Sequence, residues 1–194
     1  MSARLLAIGD GWHNTAMISV PIWQTGLTAD IPDLYADWLL YSGSLTERLI
    51  ATGQTFAVAH PHLTQDFALP DEAAALGLAA RHPVWCREVA LTLNGVPVIH
   101  ARSVTAADQA YWPPILDRGG RSLGLTLFGE PRIQRGELEC CALQSPQPLY
   151  LAAHDRVSTP MPPSLWARRC TFWQQQQGLL VQEVFLPTLW ELSL

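Results

Sequence analysis

Alternation of apolar and polar positions is sharpest between Val84 and Val104, where Val-Trp-Cys-Arg-Glu-Val-Ala-Leu-Thr-Leu runs into Asn94-Gly95 and resumes as Val-Pro-Val-Ile-His-Ala-Arg-Ser-Val. Two β-rich runs separated by Asn-Gly predict a hairpin, because a type I′ turn needs positive φ at both central residues. A two-residue loop sets Leu93 against Val96, Leu91 against Val98, Val89 against His100, Arg87 against Arg102 and Trp85 against Val104. With side chains alternating at period two, all of these share one face, which should point into the core. Two arginines facing each other there are unfavourable unless anions accompany them, and arginine sheds no proton to escape burial. The anions are either carboxylates of the same chain or a small dianion with an apolar body that the pair holds.

Helical periodicity appears earlier. Leu34, Trp38 and Tyr41 recur at core spacing from Asp30 or Pro32 onward, predicting a helix with proline near its first turn. Ser44 followed by Glu47 reads as a capping box, and Gly53 stands where a glycine closes the helix so begun. Ile18, Val20, Ile22 and Trp23 suit a short edge strand, Thr55 to His60 a further strand, and the run from Asp71 to Leu76 a short helix. Pro113-Pro114 stops one helix after Trp112 and opens the way to another over Ile115 to Arg118. A glycine-flanked loop, Gly119 to Gly124, then allows backbone N–H groups close to a ligand. Arg132 to Leu143 alternates as a half-buried strand, residues 144 to 164 read as a surface connection, and Leu165 to Pro187 reads as a second hairpin or meander. In its last strand Glu183 shares a face with Leu179, Val181 and Phe185. A carboxyl group in that setting needs an arginine, a proton or a ligand hydroxyl.

Composition narrows the chemistry. The 194 residues fit a single domain, and with 48% hydrophobic and only 15% charged residues they form neither a disordered chain nor a nucleic-acid surface. A net charge of −5 also disfavours a polyanion partner. Every basic residue is arginine, which removes Schiff-base and P-loop lysine chemistry. Cys86, Cys140, Cys141 and Cys170 lack metal or disulfide-framework spacing, and His60 with His62 is a pair without a third ligand, so no metal is expected. The N-terminal stretch meets Gly9 and Asp10 too early for a secretory core, and no run approaches the roughly 18 apolar residues of a membrane span. A soluble, cytoplasmic monomer without membrane insertion is the expectation.

Five segments in order then resemble one family. Asp37-Trp-Leu-Leu with Ser44-Leu-Thr-Glu-Arg48, Trp85-x-Arg87-Glu88, Arg102-Ser-Val104, Leu123-Gly124 and Glu183-Val-Phe-Leu-Pro187 are similar to chorismate pyruvate-lyase, the 4-hydroxybenzoate synthase of ubiquinone biosynthesis, over residues 31 to 190. The resemblance implies an α+β domain spanning 1–194, with residues 1–30 unassigned. It implies a single antiparallel sheet of about six strands, one face closed by helices and flaps over a buried ligand. It also implies a lyase that takes chorismate to 4-hydroxybenzoate and pyruvate and needs no cofactor, because aromatisation drives the reaction. In the family, the arginine matching Arg87 and the backbone N–H matching Leu123 hold the ring carboxylate, and the glutamate matching Glu183 meets the ring hydroxyl. The resemblance also places Leu45 at the substrate site, where other members carry methionine, and sets Leu125 after Gly124, where a basic residue is common. Hairpin register adds Arg102 as partner of the enolpyruvyl carboxylate. The competing expectation is a non-enzymatic sensor or carrier of small aromatic carboxylates, since the same fold serves winged-helix repressors; the basic DNA-binding segment those require is missing from the first thirty residues.

Overall fold

The computed structural model describes residues 20–26, 31, 33–156 and 160–192. The expectations placed on Ile18, Asp30, Pro32, the Leu34 side chain and the N-terminal stretch through Asp10 lie outside these residues. The element order is β1 (Gln24–Thr25), α1 (Asp33–Leu39), α2 (Leu45–Ala51), β2 (Phe56–Phe67), α3 (Pro70–Leu76), β3 (Pro83–Leu93) and β4 (Val96–Ala106). There follow α4 (Trp112–Leu116), α5 (Gly124–Gly129), β5 (Gln134–Gln144), α6 (Pro148–His154), β6 (Ser164–Gln174), β7 (Gln177–Phe185) and α7 (Pro187–Glu191). One antiparallel sheet of seven strands, rather than six, runs in the order β1-β5-β6-β7-β4-β3-β2, the extra one being the two-residue β1 on the edge beside β5. Among the described residues no helix is long and apolar enough to cross a membrane.

Local signals explain the ends of these elements. Asn94 and Gly95 both take positive φ, 50° and 81°, as the type I′ turn requires. Ser44 Oγ accepts the Glu47 N–H and starts α2. Glu72 reaches back to the Leu69 N–H at 3.0 Å and starts α3. The strand expected at Thr55 to His60 continues to Phe67, because the chain absorbs Pro61 in a bulge on the sheet's free edge. Residues 144 to 164 are more than a surface connection, since α6 buries Leu149, Tyr150 and Ala153 against Leu143, Leu165 and Val184.

Helices cover both faces of the sheet. On the front, α1, α2 and α7 pack Leu39, Leu45, Leu49 and Leu189 on Val89, Leu91, Ile99 and Phe185. Beside them α4 and α5 pack Trp112, Leu116, Leu123 and Leu127 on Phe172 and Leu179. Behind the sheet lie α3, against Val84, Cys86, Val104 and Leu180, and α6.

The central hairpin departs from the simple register. Leu93 faces Val96 and Thr92 faces Pro97, but Leu91 faces Ile99, so Val98 is an extra residue on β4. From there on every pair is shifted by one: Arg87 faces Ser103 and Arg102 faces Glu88. A one-residue slip exchanges the faces of a strand, and the two arginines therefore stand on opposite sides of the sheet. The expectation of a facing Arg87–Arg102 pair is corrected accordingly.

Arg102 belongs to a charged row that crosses the back of the sheet as Glu88, Arg102, Gln182, Arg169 and Glu139. Its Nε donates to Glu72 Oε1 at 2.7 Å and a terminal nitrogen donates to Glu88 at 3.1 Å. Gln182 also donates to Glu72, at 2.8 Å, while Arg169 pairs with Glu139 at 2.7 Å. Burial alone would lower the Arg102 pKa, but the carboxylates of Glu72 and Glu88 outweigh it and hold the guanidinium above its ordinary value.

His100 lies in the next row of that face, fully buried, with neither ring nitrogen hydrogen-bonded to any described residue. Burial pulls its pKa down to about 4, against the opposing field of Glu88. The folded chain thus binds the proton more weakly than the unfolded chain, whose histidine titrates near 6.5. The associated stability is fully present above about pH 6.5 and is lost as pH falls towards 4, amounting to about 3 kcal/mol at the acid end. Denaturant unfolding of wild type and His100→Phe at pH 7 and pH 4.5 checks this: the acid loss should be smaller in the variant, and equal losses would exclude His100 as its source.

The four cysteines are free and buried. Burial raises the thiol pKa of each, that of Cys86 to about 12 and that of Cys140 to about 11.

Candidate functional site

The front face carries two parallel rows of side chains. One reads Arg87, Ser103, Val181, Cys170, Leu138 across β3, β4, β7, β6 and β5. The other reads Val89, Ala101, Glu183, Arg168, Cys140 across the same strands. Above them, α2 and α5 leave a cavity of about 50 Å³, which Arg87, Glu183, Leu123, Leu45, Thr46 and Arg168 help to line. Four of the expected site residues, Arg87, Glu183, Leu123 and Leu45, therefore meet in one cavity. Arg102 does not join them: its side chain is on the far side of the sheet with Glu72 and Glu88.

Arg87 is 3% exposed and has no carboxylate partner among the described residues. One terminal nitrogen donates to the carbonyls of Gly119 and Arg121, at 2.9 and 3.1 Å, so the glycine-flanked loop wraps around its end. Its pKa is lowered, first by burial and then by the positive charge of Arg118. A buried cation held only by neutral oxygens is the electrostatic signature of an anion site.

Leu123 immediately precedes α5, where backbone N–H groups have no carbonyl one turn earlier to bond. The loop is tied to α2 by a 2.6 Å hydrogen bond between Thr46 Oγ1 and Ser122 Oγ. Glycine at 124 is what permits this approach: a Cβ there would stand 2.9 Å from Thr46 Oγ1 and 3.0 Å from Ser44 Oγ. Leu45, 2% exposed, forms the wall on the α2 side.

Glu183 finds its arginine in a residue that inspection of the central hairpin missed. Arg168 Nε donates to Glu183 Oε2 at 2.7 Å, and its NH1 donates to the Tyr41 carbonyl at 2.7 Å. The signal was present: β6 and β7 pair across Gln175 and Gln176 in unbroken register, and counting back from that turn sets Arg168 opposite Glu183. Arg135 also lines the cavity, though the apolar alternation of Arg132 to Leu143 gives no sign of it. Among the described residues no group of three or more His, Cys, Asp or Glu side chains is placed to hold a metal ion.

One antiparallel sheet covered by helices, with an arginine-lined cavity between them, defines an α+β domain. Comparison with known proteins narrows the class. The chorismate lyase family model matches residues 17–193, and the chain belongs to that family. It is 40% identical over 167 residues to a probable chorismate pyruvate-lyase of Aromatoleum aromaticum, covering 84% of this chain and 89% of that one. Against a probable chorismate pyruvate-lyase 1 of Pseudomonas entomophila the identity is 36%, covering 88% of this chain and 92% of the relative.

Among solved structures, the effector domain of PhnF from Mycobacterium smegmatis superposes with a TM-score of 0.50 at 16% identity, over 75% of this chain and 90% of that one. The C-terminal domain of Yurk from Bacillus subtilis gives 0.51 at 13% identity, over 67% and 90%. These two likenesses concern the fold alone.

Proposed function

We propose that the chain converts chorismate to 4-hydroxybenzoate and pyruvate, with the ring bound between Arg87 and Glu183. Family membership makes it a lyase, and one observation supports this substrate for this cavity most directly. Arg87 is a buried cation without a counter-charge among the described residues, set across the sheet from a carboxylate that already has its own arginine. Arg87 on β3 and Glu183 on β7 are separated by β4 and stand one row apart along the strands, so their backbones are about 12 Å apart. A six-membered ring with a carboxylate at one end and a hydroxyl at the other bridges that gap once both side chains lean inward.

In this reading Arg87 grips the ring carboxylate with its planar fork, and the Leu123 N–H is a second donor to the same group. Leu45 and Val89 pack on the ring. Glu183, with Arg168 as its partner, accepts the ring hydroxyl's hydrogen bond. The ether bond between ring and enolpyruvyl group breaks with its electron pair going to the enolpyruvyl oxygen, and the ring carbon bearing the hydroxyl loses its proton. The enolate of pyruvate so released takes up one proton at carbon, balancing the one lost from the ring, and becomes the ketone. Atoms and electrons balance without an oxidant. The protein's part is to hold one reactive conformer, exclude water and stabilise negative charge on the departing oxygen.

The decisive experiment follows pyruvate and 4-hydroxybenzoate appearing from chorismate with purified protein. Stoichiometric release supports the assignment; saturable binding with no pyruvate would favour a sensor or carrier instead. Glu183→Gln refines the role of the acid. Its kcat should fall by about tenfold or more, while the 4-hydroxybenzoate Kd stays within a few-fold, since the amide still accepts a hydrogen bond. Equal losses in both would reduce Glu183 to a positioning group.

A further inference from the structure

We infer that Arg135 receives the second carboxylate of the substrate, on the enolpyruvyl ether, and so lets the site tell a dianionic substrate from its monoanionic product. The inference rests on the lyase reading above. Arg87, Arg135 and Arg168 all line the cavity. Arg168 is neutralised by Glu183. Arg135, like Arg87, has no carboxylate partner among the described residues: it donates to the Ser42 carbonyl and, through Nε, to Cys170 Sγ at 3.3 Å. Its guanidinium carbon lies 5.1 Å from the ring centre of Phe128 and 6.0 Å from that of Phe172, a setting that orients a cation without cancelling its charge. The cavity therefore carries two uncompensated positive charges, one for each carboxylate of a dianion.

Position agrees with charge. Arg87 and Cys170 stand in the same row of the sheet on β3 and β6, while Glu183 lies in the next row on β7, between those two strands. A ring bound through its carboxylate at Arg87 and its hydroxyl at Glu183 carries the ether on the carbon next to the hydroxyl, at the end remote from Arg87. The side chains at that end come from β6 and β5. Of the two arginines there, Arg168 is occupied by Glu183 and Arg135 is not. When the ether breaks, the second carboxylate leaves with pyruvate, and the ring that stays behind has no further hold on Arg135.

The test uses Arg135→Gln and Arg135→Lys in the full chain, with three readouts. These are steady-state constants for chorismate, the Kd of 4-hydroxybenzoate, and the Kd of 3-(carboxymethoxy)-4-hydroxybenzoate, a stable ether that retains both carboxylates. In Arg135→Gln the chorismate kcat/KM should fall roughly 10- to 100-fold and the dianion Kd rise comparably, with the 4-hydroxybenzoate Kd within about threefold of wild type. Arg135→Lys should recover part of the loss, keeping the charge without the fork. Parallel losses for both ligands would overturn the inference, as would unchanged chorismate constants. Should Arg135→Gln fail to fold, wild type still decides, because equal affinity for the two ligands would also overturn it. A wild-type protein that makes no pyruvate would sink the lyase reading itself. Pyruvate formation with Arg135→Gln indistinguishable from wild type would sink only the assignment of Arg135.

Discussion

Replacing Arg87 with alanine is expected to abolish turnover and to weaken 4-hydroxybenzoate binding by about 3 to 5 kcal/mol, the usual cost of breaking a buried charge pair. The size of the effect follows from burial. At 3% exposure Arg87 is almost wholly enclosed by protein, and its partners among the described residues are the neutral carbonyls of Gly119 and Arg121. A bound carboxylate would thus be its only counter-ion among the described groups, held by hydrogen bonds from the planar guanidinium. Removing the arginine leaves the carboxylate in the cavity without its cation and releases the loop that Arg87 holds by two of its backbone oxygens. Arg87→Lys separates the two losses, since it keeps the charge but not the fork. Calorimetric titration of each variant with 4-hydroxybenzoate is the measurement, and affinity unchanged in Arg87→Ala would remove Arg87 from the carboxylate site.

Arg102→Ala should behave in the opposite way, costing about 3 to 5 kcal/mol of folding stability while leaving ligand affinity in the folded protein nearly unchanged. Glu72 is completely buried and takes two hydrogen bonds from Arg102, so the truncation strands a carboxylate beneath α3. The same carboxylate caps α3 through the Leu69 N–H, so the damage should spread to the start of that helix. Urea unfolding measures the loss. Arg102→Met combined with Glu72→Leu should regain much of it, because apolar side chains of similar volume often replace a buried ion pair without cost. If Arg102→Ala instead kept its stability and lost 4-hydroxybenzoate binding, the guanidinium would have to reach the cavity after all.

The contrast between these arginines shows what the sequence could and could not disclose. The hairpin, its turn and the strand assignments on either side were legible, since Asn-Gly and period-two alternation are local signals. So were the caps at Ser44 and Gly53 and the grouping of Glu183 with the apolar positions of its strand. The bulge at Val98 was not legible, because an extra β-branched residue in a β-rich run changes neither composition nor alternation in any way that reveals which partner was skipped. That one residue moved Arg102 from the cavity face to the opposite one. Arg168 was legible in principle, through the unbroken register of the β6–β7 turn, but Arg135 was not. Its placement depends on the register shift between Arg135 and Leu138 and on a contact with Ser42, more than ninety residues earlier in the chain. The packing of α6 was hidden for a related reason, since proline-rich flanks make a short helix look like exposed linker.

The extra residue at Val98 divides the hairpin into two segments whose phases are set independently. The tip answers to the geometry of Asn94-Gly95, whereas the stretch holding Arg87 answers to the strands beside it, so drift at the tip need not be transmitted to the arginine. Excising Val98 would couple the two segments again. Either the tip would be dragged out of its turn, or Arg102 would rotate to the side now occupied by Ser103, leaving Glu72 without its cation and giving the cavity one it was not built to contain.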